Sequence, residues 1–204
     1  MNVMLVNCSP KQHQSCTYSL AQTMIEQLSA IGSVELNEID VTTLVHVDVD
    51  YAIALCSQEK QHVQAVGSLA TSNQLITSLE QADVVIIASP MHNYSLPSGL
   101  KCWVDHVVRA GRTFEITSTG KRGLLSDKPV YIFISAGGVF SGEGAYQTDF
   151  FTPYMTEVLA TIGLMNVIFF TIEGTAATPV IVQKQVKYVH EQVREHVMST
   201  FSVN

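Results

Sequence analysis

Apolar residues are distributed along this chain in two textures that alternate from the first residue to the last. Short unbroken branched runs predict strands covered on both faces, and longer stretches with apolar residues every three or four positions predict helices. Met1 to Asn7 reads as a first strand, halted at Cys8-Ser9-Pro10 where proline removes a donor. From Thr17 the stripe Leu20, Ala21, Met24, Ile25, Leu28 and Ile31 predicts a helix, with Gly32 as its stop. Val34 to Ile39 reads as a charged edge strand, and His46-Val-Asp-Val-Asp50 as a solvated loop that lacks the glycine and distant glutamate of a calcium site. Val63, Val66, Leu69, Ala70, Ile76 and Leu79 predict one or two covering helices between Ser57 and Gln81.

The run Asp83 to Ala88, bounded by Ser89-Pro90, predicts a strand at the middle of a sheet. After a polar loop, Leu100, Trp103, Val104, Val107 and Val108 form a helical stripe that ends at Ala110-Gly111. Arg112 to Thr117 alternates as a short extended segment, and Ser118 to Gly123 reads as a turn. Val130 to Ile134 is a further buried strand. Thr152-Pro153 caps a helix running to Ile162 and stopped by Gly163. Val167 to Ile172 is the last strand, and Thr178-Pro179 opens a final helix striped by Val182, Val186, Val189, Val193 and Val197. Strands alternating with helices predict an α/β fold: a doubly wound, five-stranded parallel sheet of order 2-1-3-4-5, with helices on both faces and residues 1–204 as a single domain.

In such a sheet a ligand lies beyond the carboxyl ends of the strands, which singles out three loops. The first, Ser9 to Thr17, has no glycine, which excludes the Rossmann and P-loop fingerprints. The hydroxyls of Ser9, Ser15 and Thr17, with first-turn amides, suit a phosphomonoester, although Ser and Thr before a helix are also ordinary caps. The second, Met91-His92-Asn93-Tyr94 and onward, carries side chains able to lie against a ring. In the third, Ser135-Ala136-Gly137-Gly138, paired glycines allow either close approach of the backbone to a flat ligand or a tight turn.

Composition narrows the picture. Net charge is −7 with 11 Lys+Arg, and no basic cluster exceeds Lys121-Arg122, so nucleic acid is not an expected partner. The start lacks a basic n-region and a cleavage site, and no apolar run reaches the length of a membrane span, so a cytoplasmic location without a membrane partner is expected. Cys8, Cys16, Cys56 and Cys102 have neither zinc-site nor disulfide spacing, and no metal is expected. Cys56 and Cys102 read as small hydrophobes.

Taken in order, Ala88-Ser-Pro-Met-His-Asn-Tyr-Ser-Leu-Pro97, Leu100-Lys101, Arg109-Ala-Gly-Arg-Thr-Phe114, Ser135-Ala-Gly-Gly138, Thr152-Pro-Tyr154, Ile162-Gly163 and Glu173-Gly174 resemble the FMN-dependent NADH-azoreductases, or NADH:quinone reductases, of the flavodoxin-like superfamily. The likeness runs from the first strand to the final helix. It implies an FMN phosphate held by Ser9, Ser15, Cys16 and Thr17. It also implies a ring resting on Met91, His92, Asn93 and Tyr94, with its pyrimidine edge met by Ser135, Ala136, Gly137 and Gly138. Three positions depart from the family pattern: Cys16 where a polar amide is usual, His92 where tyrosine is common, and Ala136 where a larger polar residue often lies. For His92, stacking or packing is expected ahead of acid catalysis, and no catalytic side chain is assigned because the flavin carries the redox chemistry. The resemblance further implies two-electron ping-pong transfer from NADH through FMN to quinones or aromatic azo compounds, in a homodimer; the apolar excess around Trp103 fits a subunit contact or a wholly buried helix. The competing expectations are a flavodoxin-type one-electron carrier and a flavin-binding regulatory protein.

Overall fold

Parallel pairing of five strands organises the computed structural model, which describes residues 1–56 and 66–201. The strands of the main sheet are β1 (Asn2–Asn7), β2 (Glu35–Asp40), β3 (Val84–Pro90), β6 (Val130–Ser135) and β7 (Val167–Ile172). Their order is β2-β1-β3-β6-β7, which is the expected 2-1-3-4-5 when only sheet strands are counted. The remaining strands, β4 (Phe114–Thr117) and β5 (Gly120–Gly123), form a separate antiparallel hairpin. The helices are α1 (Cys16–Ile31), α2 (Val49–Cys56), α3 (Gly67–Gln81), α4 (Ser98–Val107), α5 (Thr152–Ile162) and α6 (Pro179–Phe201).

Strand alternation sorts the core into two clusters. Val3 and Leu5 of β1 join Leu20, Met24 and Leu28 of α1 and Val189, Val193 and Val197 of α6. Met4 and Val6 join Leu75, Ile76 and Leu79 of α3, Leu100 and Trp103 of α4, and Met155 and Leu159 of α5. Trp103 is fully buried in this second cluster, so the apolar excess around it is used within the chain's own core and offers no subunit contact. Cys102 is buried as expected, whereas the side chain of Cys56, and Val63 with it, lies outside the described residues.

Several boundaries differ from the expected ones for identifiable reasons. The Gly120–Gly123 stretch, which reads as a turn, pairs with Phe114–Thr117, with Phe114 opposite Gly123 and Thr117 opposite Gly120. The close fit of Gly123 to the end of α5 holds the hairpin there: a Cβ on Gly123 would lie 2.3 Å from the nitrogen of Gly163. The stretch His46 to Asp50 is not wholly a loop, because Asp48 Oδ1 accepts from the N–H of Tyr51 at 2.8 Å and caps α2. Helix α4 stops at Val107, before Ala110, because the Thr113 hydroxyl donates to the Val107 carbonyl at 2.6 Å and accepts from the Arg109 N–H at 2.9 Å. At the start of α5, Asp149 rather than Thr152 supplies the cap, accepting from the N–H groups of Phe151 and Thr152 at 2.9 Å each.

Candidate functional site

The three loops leave one edge of the sheet from adjacent strands. Asn7 pairs with Ala88, and Pro90 with Ser135, so β1, β3 and β6 end side by side. The crevice beyond β1 and β3 is where chain connections turn to opposite sides, the usual seat of a ligand in an open α/β sheet. Two bonds tie the roots of the loops together: Cys8 N–H to the Ala88 carbonyl at 2.9 Å, and Met91 N–H to the Ser135 carbonyl at 2.7 Å.

In the first loop Ser9, Ser15 and Thr17 are buried and Cys16 half-buried. Ser15 is the cap of α1, accepting from the N–H of Tyr18 at 3.1 Å, and its hydroxyl lies 3.3 Å from that of Thr17. The N–H of Ser19 goes to the Ser15 carbonyl at 3.1 Å. That leaves the N–H groups of Cys16 and Thr17 without an intrahelical acceptor, at the positive end of the helix dipole. Burial pushes the Cys8 thiol up, so it stays protonated beneath the loop. Beside it, burial works against ionisation of Asp40, but hydrogen bonds from Thr42 and Gln12 outweigh it and leave the carboxyl below its ordinary value.

The second loop is a tight turn closed in both directions, His92 N–H to the Ser95 carbonyl at 2.9 Å and Ser95 N–H to the His92 carbonyl at 3.0 Å. Its central residues, Asn93 and Tyr94, have φ of 50° and 69°, the pattern of a primed turn, which Asn tolerates and Tyr rarely adopts. The Tyr94 carbonyl accepts from the N–H of Phe150 at 3.2 Å. Met91 is buried, whereas His92, Asn93 and Tyr94 are exposed. A cavity of 150 Å³ joins the first two loops; His92 lines it with His46, Cys8, Pro10 and the first residues of α4. Helix α4 begins hard against the 3₁₀ turn Val41–Thr43, where a Cβ on Gly99 would lie 2.8 Å from the Val41 carbonyl oxygen.

In the third loop the carbonyls are consumed. Thr175 N–H donates to Ala136 at 2.9 Å, Ala176 N–H to Gly137 at 3.4 Å and Gly174 N–H to Gly138 at 3.1 Å. Among the described residues the N–H groups of Gly137 and Gly138 have no protein acceptor, and Gly137 is exposed. Farther along, Glu173 is buried and anchors the loop: Oε2 accepts from the N–H groups of Phe140 at 2.8 Å and Ser141 at 3.1 Å, and Oε1 from the Ser141 hydroxyl at 2.5 Å.

A family model described as flavodoxin-like fold matches residues 1–197. The chain is 40% identical over 178 residues to FMN-dependent NADH:quinone oxidoreductase 5 of Burkholderia lata, covering 86% of each. It is 39% identical over 176 residues to FMN-dependent NADH:quinone oxidoreductase 4 of Pseudomonas fluorescens, covering 85% of this chain and 84% of that one. The chain belongs to the flavodoxin-like family of FMN-dependent NADH:quinone oxidoreductases. Its fold is also that of the FMN-dependent NADH-azoreductase from Bacillus anthracis in complex with FMN, with a TM-score of 0.83 at 19% identity over 98% of this chain and 99% of that one.

Within this oxidoreductase family frame, each predicted site residue lies on one of three loops at a common edge. Three residues have contacts at these loops that the sequence does not reveal. Gln147 donates to Met91 Sδ at 2.8 Å while its Oε1 packs on Gly138, bridging the second and third loops. His46 lines the small cavity beside His92, and Gln12 forms the corner of the first loop. None belongs to a recognisable motif. Conversely, the conspicuous Arg109 is structural: it donates to Ser72 Oγ at 2.8 Å and Asn73 Oδ1 at 2.6 Å, joining the end of α4 to α3.

Proposed function

We propose that this protein is an FMN-dependent NADH:quinone oxidoreductase with azoreductase activity, built as a single doubly wound domain that works as a homodimer in the cytoplasm. The observation that carries the reading is the donor set at the carboxyl edge. Unspent N–H groups and buried hydroxyls stand on the first loop and unspent N–H groups on the third, with a ring-bearing turn between them. Two core clusters, one with α1 and α6 and the other with α3, α4 and α5, support helices on both faces. Among the described residues no helix is long and apolar enough to cross a membrane.

The residues present fit FMN. Ser9, Ser15 and Thr17 hydroxyls and the backbone N–H of Cys16 would hold the phosphate, and because they are neutral they would place no cation beside the ring. The departure at Cys16 is harmless, since the backbone rather than the thiol does the holding. Met91, His92, Asn93 and Tyr94 would carry one side of the ring, and the N–H groups of Gly137 and Gly138 would meet its pyrimidine edge, with Ser135 and Ala136 fixing their position. When bound, FMN supplies two-electron transfer from NADH to a quinone or azo acceptor. The chain's share is orientation: exposed Tyr94 offers a flat surface to a planar acceptor, and the backbone donors stand ready where negative charge gathers.

Purified protein should be yellow, release FMN on mild denaturation, and under anaerobic NADH be bleached fully, with colour restored by a quinone. A yellow protein that ignores NADH would instead be a one-electron carrier, a role its acidity suits. One that NADH bleaches but no quinone or azo compound reoxidises would be regulatory. Sedimentation at micromolar concentration should give twice the mass of the chain.

A further inference from the structure

The first loop contains no glycine and still turns a sharp corner. The corner is Gln12, whose φ of 51° puts an ordinary L residue in the left-handed region, at a steric cost that the surroundings must offset. Its backbone links two of the residues assigned to the phosphate: the N–H of Gln12 donates to the Ser9 carbonyl at 2.9 Å, and its carbonyl accepts from the N–H of Ser15 at 3.1 Å. Its side chain points the other way and is pinned at each end. Oε1 accepts from Asn7 Nδ2 at 3.2 Å, and the two protons of Nε2 go to Asp40 Oδ2 at 3.0 Å and Thr42 Oγ1 at 2.9 Å. Asn7 is fully buried, so the anchor rests on the ends of β1 and β2 rather than on solvent.

We propose that Gln12 is the positioning residue of the phosphate loop: its carboxamide, held by Asn7, Asp40 and Thr42, keeps the corner in its left-handed conformation and so fixes Ser9 and Ser15 at the spacing a phosphate needs. The inference rests on the flavin-phosphate reading above. It requires a carboxamide of this length. Asn accepts the backbone angle but is one methylene short of the partners, Gly accepts it with no anchor, and Glu has the length but loses both donors and sets a carboxylate against Asp40.

Riboflavin carries the same ring without the phosphate, so it separates this role from general damage. Apoprotein is titrated with FMN and with riboflavin by quenching of flavin fluorescence. Gln12→Glu should weaken FMN about tenfold, riboflavin less than about twofold, and leave the visible spectrum of bound flavin unchanged. Thr42→Val, which removes one anchor from outside the loop, should weaken FMN about threefold and add little on top of Gln12→Glu, because the two act on one bond. Should Gln12→Glu fail to fold, the FMN-selective loss in Thr42→Val decides. Equal loss for both flavins, or no loss for FMN, overturns the proposal. Wild-type protein that binds the two flavins equally well removes the phosphate from this loop and the role of Gln12 with it, whereas wild-type protein that binds neither overturns the flavin site as a whole.

Discussion

The first and third loops lie at the same sheet edge and are stiffened by opposite means. A side chain anchors the first: Gln12 reaches back to Asn7 and Asp40 at the ends of β1 and β2 and to Thr42, and the N–H groups of Cys16 and Thr17 at the start of α1 have no intrahelical acceptor. The third is anchored through its own carbonyls, those of Ala136, Gly137 and Gly138 taken by donors from residues 174–176 and that of Ser135 by Met91, and through Glu173 below it. On the proposed reading the first loop surrounds a compact anion and can carry bulk on its outer side, so side chains do the fixing. The third, proposed to meet the edge of a flat ring, brings only backbone to it, so glycine and main-chain bonds take over.

The largest expected effect comes from removing the third loop's anchor. Glu173→Ala strands the buried N–H of Phe140 at a cost of about 1–3 kcal/mol, while the N–H of exposed Ser141 can turn to water, so the melting temperature should fall by about 2–12 °C for a chain of this size. Glu173→Gln keeps one acceptor and should lose less. An unchanged melting curve for the alanine variant would show that the loop is held by its carbonyls alone.

A smaller and more local effect is expected at Gly138. A methyl group there would lie 2.5 Å from Gln147 Oε1 and 3.3 Å from the ring of Tyr146. Both are side-chain atoms able to move, so Gly138→Ala should weaken FMN by about three- to tenfold with little change in stability. Gln147→Ala in the same chain should restore much of the affinity by clearing the space. No recovery in the double variant would mean that the methyl group meets the flavin itself.

The smallest effect lies away from both loops, where α6 is seated on α1 and β6 by two histidines. His190 Nδ1 is 2.7 Å from Thr23 Oγ1, and His196 Nε2 is 3.2 Å from the Tyr131 hydroxyl. Burial lowers the pKa of both below the ordinary 6.5, with Arg194 adding to the effect at His190. The folded state therefore binds fewer protons than the unfolded one near that value: stability is complete above about pH 6.5 and declines as the pH falls through it and below the folded values. Melting temperature should drop modestly between about pH 7 and pH 5, and a His190→Gln/His196→Gln variant should show a flatter profile. An unaltered slope would assign the acid sensitivity to carboxylates elsewhere.

Much of this layout was visible in the amino-acid order. Buried strands announce themselves as apolar runs, and helices α1, α3 and α6 as stripes, because burial on a sheet constrains residue type strongly. The hairpin strand Gly120–Gly123 is not legible because Gly-Lys-Arg-Gly has the composition of a turn and is mostly exposed; its pairing with Phe114–Thr117 makes it a strand, and the contact of Gly123 with Gly163 seats it. Helix α2 was missed at its start because Val49 and the residues after it are mostly exposed and leave no clear stripe. At the candidate site, the hydroxyls and glycines stand out in the sequence since their chemistry is explicit. Gln12 and Gln147 were not, because an amide in a loop looks solvated until the fold supplies its partners, and a left-handed backbone at a residue other than glycine leaves no mark in the sequence.

The contact between Gly99 and Val41 bears on how such a protein could be redesigned. Because main chain meets main chain there, the opening turn of α4 and the edge-strand terminus move as one rigid piece, and any larger residue would lever both away from the cavity beside His92. Libraries seeking new acceptors should therefore diversify the exposed side chains of Tyr146 and Phe150 and leave Gln147, Asp149 and α4 as they are.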